Sequence, residues 1–139
     1  MQLETIYQSR YQSIAVEKSL QLGHQEWYQD TVDMSDDEYR KDLGQLVRKL
    51  ERQKIPQKWL INLSGFHYIM SPEMQEWHSL NVFQKIFVGQ EFYFAVLSNG
   101  DFVNDLAVSQ TFDETGNLIL TTKYFKEETP AYAWLLDFA

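Results

Sequence analysis

Residues 59–77 read W-L-I-N-L-S-G-F-H-Y-I-M-S-P-E-M-Q-E-W, and the fold turns on how this stretch is parsed. The apolar run Trp59, Leu60, Ile61 and Leu63 is near-continuous rather than alternating, as a strand buried on both faces requires. Ser64-Gly65 ends it. A second apolar patch, Phe66, Tyr68, Ile69 and Met70, leads to Ser71-Pro72. There a hydroxyl can cap a helix whose first position is filled by proline. Strand, crossing loop and capped helix therefore follow one another directly.

Upstream, Tyr11 to Trp27 reads as a β-hairpin. Ile14 and Val16 share one face of its first strand, and Leu20, Leu22 and His24 share a face of the second, with Gly23 as a candidate bulge. The turn near Glu17-Lys18-Ser19 lacks an Asn-Gly or Asp-Gly signal. Residues 1–10 read as a flexible lead-in. Ser35-Asp36-Asp37-Glu38 is a capping box, and Met34 and Tyr39 sit where a hydrophobic staple belongs. Tyr39, Leu43, Leu46, Val47 and Leu50 then make one helical stripe, and Pro56 blocks continuation, so the helix ends near Gln53.

Downstream, Met74, Trp77 and Leu80 form the inner face of the helix opened by Ser71-Pro72. Phe92 to Leu97 is a second continuous apolar strand, closed by the turn Ser98-Asn99-Gly100. Two readings follow: a helix capped by Asp101 over Phe102–Gln110, whose apolar positions fit a 3.6 period, or a hairpin over Val108–Tyr124 turning at Thr115-Gly116-Asn117. Leu118 to Phe125 has the polar content of an edge strand. Ala131, Trp134, Leu135 and Phe138 make a last helical stripe, with Pro130 tolerable in its first turn.

Helices between strands imply right-handed parallel crossovers. The expected fold is a single α/β domain over residues 1–139: a mixed, mostly parallel sheet of about five strands opening with a β-hairpin, with about four helices. This order of elements resembles a STAS domain, the sulfate-transporter and anti-sigma-factor-antagonist fold, over nearly the whole chain from Tyr11. The local likeness is densest at Leu63-Ser64-Gly65, where Asn62 stands in place of the usual aspartate, and at the apolar segment Phe66-His67-Tyr68-Ile69. Family members then carry Asp-Ser-Ser-Gly, but here the residues are Met70-Ser71-Pro72-Glu73. The position matching the phosphorylated serine of the antagonists is Pro72, so the resemblance implies the fold and a regulatory role without the phospho-switch.

A chain of 139 residues with 44% hydrophobic and 15% aromatic content can close a substantial core. A net charge of −8 argues against nucleic acid and anionic membrane surfaces as partners. The basic residues Arg48, Lys49, Arg52, Lys54 and Lys58 gather around a helix C-terminus, and the acidic residues Asp30, Asp33, Asp36, Asp37 and Glu38 around a helix start; the helix dipole accounts for both. Without cysteine there is no disulfide and no thiolate chemistry. No secretory leader or membrane span is legible, and a cytoplasmic protein is expected. His24, His67 and His78 lack metal-ligand spacing, and no phosphate-loop, dinucleotide or nucleophile-elbow motif occurs. No cofactor and no catalytic residue is therefore expected.

The leading expectation is a non-enzymatic bacterial regulatory or scaffolding module working through protein–protein contacts, with a protein partner or a weak homodimer. The alternative is a carrier of a small apolar or anionic ligand near the helix N-terminus at Ser71, and a third is a small enzyme of unrecognised type. Phe66, His67, Tyr68, Ser71, Trp77 and Phe87 are the candidate ligand or partner surface, because the chain has more aromatic area than its strands usually hide.

Overall fold

A computed structural model describes residues 2–87, 89–98 and 119–138. The run from Trp59 becomes the centre of the sheet. Strand β4 (Lys58–Asn62) lies between parallel neighbours β3 (Leu22–Trp27) and β5 (Glu91–Leu97), and only Asn62 escapes full burial. Trp59 and Ile61 point into one apolar core and Leu60 into a second on the opposite face, which is why the run shows no alternation.

The sheet has six strands in sequence order: β1 (Glu4–Gln8), β2 (Gln12–Glu17), β3, β4, β5 and β6 (Ile119–Phe125). The first three are antiparallel and the last four parallel, so the mixed, mostly parallel α/β sheet opening with a hairpin is present with one strand more than expected. That strand comes from the stretch read as a lead-in. Glu4–Gln8 pairs with β2 through a register shift between Thr5 and Tyr7, and Tyr7 is buried.

Helix α1 (Asp36–Leu50) crosses from β3 to β4. Its capping box is complete: the Glu38 N–H donates to the Ser35 hydroxyl and the Ser35 N–H to the Glu38 carboxylate. The helix stops at Leu50, slightly before the Gln53 expected. Between β4 and β5 the chain forms α2 (Pro72–His78), a π turn (Ser79–Phe83) and the short α3 (Gln84–Ile86). These helices cover the face bearing Ile14, Trp59, Ile61 and Phe94, and α4 (Glu128–Leu136) covers the other with Ala131 and Leu135. The helix and hairpin readings of the stretch from Phe102 onward fall on residues outside those described, apart from β6 itself.

Three local expectations change. Leu80, expected on the inner face, is 51% exposed. The π turn winds more residues per turn than an α-helix, so the apolar phase slips and Val82, Phe83 and Ile86 face inward instead. Gly23 is no bulge; it pairs regularly with Val16 and Trp59. Its missing side chain makes room for the Trp59 indole, whose ring would lie 2.6 Å from a Cβ placed there. Leu20 belongs to a 3₁₀ turn at the hairpin end rather than to β3, and Gln21 closes that turn at φ 49°. A hairpin closed this way has no use for Asn-Gly.

Candidate functional site

The carboxyl ends of parallel strands are where α/β sheets usually place binding groups. Here the loops leaving β3 and β4 are stitched together by one buried side chain. The Thr31 hydroxyl accepts the His67 N–H at 2.8 Å and lies 2.8 Å from the Tyr28 carbonyl and 3.1 Å from that of Gly65. Gly65 is needed for this approach, since a Cβ there would sit 2.5 Å from the Trp27 carbonyl oxygen. Asn62 accepts from both the N–H and the hydroxyl of Ser64, closing the turn. Val32 and Ile69, one on each loop, stand 66% and 68% exposed.

The residues singled out from sequence divide between two places. Phe66, Tyr68 and Phe87 are core residues, so a macromolecular partner could not reach them. Tyr68 stacks on Tyr39 at 4.6 Å and donates its hydroxyl to Asp36, and burial with that carboxylate raises its pKa. His67, Ser71 and Trp77 are half-buried. The Ser71 hydroxyl accepts the Met74 N–H at 3.2 Å, so it is occupied as the cap of α2.

Between the sheet and the helices lies a cavity of about 60 Å³, walled by Trp27, Leu46, Trp59, Phe66, Val82 and Phe87 among others. Besides the indole N–H groups of Trp27 and Trp59, the polar residues of its lining are Gln25, Tyr39 and His78. Tyr39 and His78 are joined at 2.6 Å through the phenol oxygen and Nδ1. A phenol that donates here leaves only the His78 Nε2–H to place, whereas the other tautomer would strand both the phenol proton and the Nε2 lone pair. The imidazole is thus neutral with its proton on Nε2. Burial alone lowers its pKa from 6.5 to about 3, and burial likewise raises that of Tyr39.

Gln25 is the half-buried end of an otherwise buried chain that sequence reading missed. The Tyr7 hydroxyl and Gln12 Nε2 each donate to the Asp42 carboxylate at 2.7 Å, and Gln25 Nε2 donates to Gln12 Oε1, again at 2.7 Å. Burial next to that carboxylate raises the Tyr7 pKa. A signal was present: Asp42 falls on the apolar stripe of α1 one turn after Tyr39, and Gln12 shares the inward face of β2 with Ile14 and Val16. Two polar residues at core-facing positions of elements that pack together imply a satisfied pair.

Among the described residues, no group of three or more His, Asp or Glu could hold a metal ion, and no helix is long and apolar enough to cross a membrane. Compared with known proteins, the chain matches no family model, and neither a curated protein nor a solved structure matches it.

Proposed function

We propose that this chain is a non-enzymatic regulatory or scaffolding module of STAS-like type, contacting a protein partner through the loops at the carboxyl ends of β3 and β4. One observation carries the reading. Val32 and Ile69 hold large apolar side chains out in solvent on loops that Thr31 locks together. Mobile loops would collapse such side chains or pay ordering entropy on binding, and a rigid base avoids that cost. The opening hairpin followed by parallel β–α units, with helices on both faces, supports the STAS likeness at the level of topology. A bacterial, cytoplasmic setting goes with that likeness and with the absence of cysteine.

The test is a photo-crosslinking amino acid placed at position 32 or 69 in the native host. An adduct of one discrete mass at both positions, not seen from the exposed control position Leu3 on β1's side of the sheet, is the expected result. Equal labelling from all three positions, or none, overturns the reading. An adduct of twice the chain mass would identify the partner as a second copy.

A further inference from the structure

We propose that the interior cavity is a binding site for a small neutral molecule with an apolar body and one group that both gives and accepts a hydrogen bond, in chemical class a short-chain alcohol. The lining dictates the class. A carboxylate only accepts, so Asp42 forces Gln12 to present Nε2, and Gln12 Oε1 then forces Gln25 to present its own Nε2. Gln25, itself half-buried, is one of the residues lining the cavity, and its Oε1 is left as an acceptor with no donor among the described residues.

His78 supplies the complement. It is only 9% exposed, its Nδ1 is taken by the Tyr39 hydroxyl, and its Nε2–H has no oxygen or nitrogen acceptor among the described residues. The nearest group of another kind is the Phe83 ring, 4.5 Å between centroids at 75°, which is a weak acceptor. A buried donor left in this state is costly. A ligand hydroxyl would accept from the His78 Nε2–H and offer its own proton on the Gln25 side of the same cavity, while its alkyl body meets Leu46, Val82 and Phe87.

Size sets the limit. A site for water needs about 10–15 Å³, and an apolar cavity that takes benzene measures about 150 Å³. The present cavity, about 60 Å³, therefore suits an alcohol of about two to four carbons. Part of its wall, Val82 and Phe83, belongs to the π turn, a departure from regular helix that is common where a helix lines a functional site.

Methyl-resolved NMR tests the proposal with 1-propanol as the polar probe and dissolved xenon as an apolar one. Both should shift the methyls of Leu46, Ile61, Val82 and Ile86 saturably, and propanol alone should also move the His78 Nε2 resonance. His78→Phe keeps an aromatic ring in place, somewhat larger than the imidazole, and removes the donor, so xenon uptake, which reports whether the space remains, should persist while the propanol affinity falls roughly fivefold or more. Propanol shifts that rise linearly without saturating, or that saturate while Nε2 stays still, overturn the proposal in the wild-type protein alone. Equal propanol affinity in His78→Phe overturns it as well.

Discussion

Acidification from about pH 7 to about pH 5 should remove about 2 kcal/mol of stability through His78 alone. The residue is buried against Tyr39 and Phe83, and its folded-state pKa is lowered from 6.5 to about 3 by desolvation. A depressed histidine means that the unfolded chain binds the proton and the folded one does not. The stabilising contribution is therefore complete above the unfolded pKa and declines as pH falls through it, by about 1.4 kcal/mol per pH unit until the folded pKa is reached. Glu38 acts in a separate, lower window: Tyr11 and the Ser35 N–H hold its carboxylate down to about 2 from 4.5, so its contribution is present above 4.5 and lost below. His24, half-buried on the opposite face beside Tyr132, is also lowered by burial and adds a parallel loss in the histidine window. Urea unfolding followed by tryptophan fluorescence, repeated across this range for wild type and His78→Phe, isolates the residue because His24 and Glu38 cancel in the difference. The two stability curves should diverge by about 2 kcal/mol between the ends of the range. Parallel curves would refute the reasoning and place His78 in contact with water.

Other substitutions test the remaining structure. Leu46→Ala, at a position 2% exposed that already borders the cavity, should cost about 3–5 kcal/mol in chemical denaturation, because the new space merges with the old rather than collapsing. Gly23→Ala should cost about 1–3 kcal/mol, since its Cβ must displace the Trp59 ring within a packed sheet; the near-ultraviolet circular dichroism of the tryptophans should change with it. Ser71→Ala should cost about 1 kcal/mol and Ser71→Asp almost nothing, as expected for a cap and not for a phosphorylation switch. No salt-sensitive shift of generic duplex or single-stranded DNA should appear at micromolar protein, given the net charge of −8.

The parts of the fold legible in the sequence were those set by local rules. The capping box at Ser35, the proline after Ser71 and the unbroken apolar runs of β4 and β5 each identify an element by chemistry within a few residues. What was hidden depends on partners distant in sequence. Gly23 looks like a bulge until Trp59 is seen to pack over it. Leu80 fits the α-helical stripe until the π turn shifts the phase. For the candidate site, the sequence singles out the Phe66-to-Tyr68 segment, but its aromatics turn inward while Ile69 beside them turns outward. Apolar character alone cannot tell these apart, because the choice is made by the Thr31 bridge from a different loop.

The same dependence on distant partners explains why the first residues of the chain form a strand. Glu4–Gln8 has one well-buried side chain, Tyr7, and too little apolar surface to hold an edge strand by burial. Its anchor is polar: the Tyr7 hydroxyl reaches Asp42, a carboxylate buried on α1 that Gln12 also serves. A slip of two residues in β2 would keep Ile14 and Val16 on the inward face but carry Gln12 away from Asp42. Asp42 would then lose a donor and Gln25 its acceptor, and a buried charge with incomplete hydrogen bonding is destabilising by several kcal/mol. Apolar packing favours some register that buries Ile14, whereas the Tyr7–Asp42–Gln12–Gln25 chain tolerates only the observed one. The polar chain thus selects the register of the hairpin, recruits β1 to its edge, and orients the Gln25 amide through its Nε2.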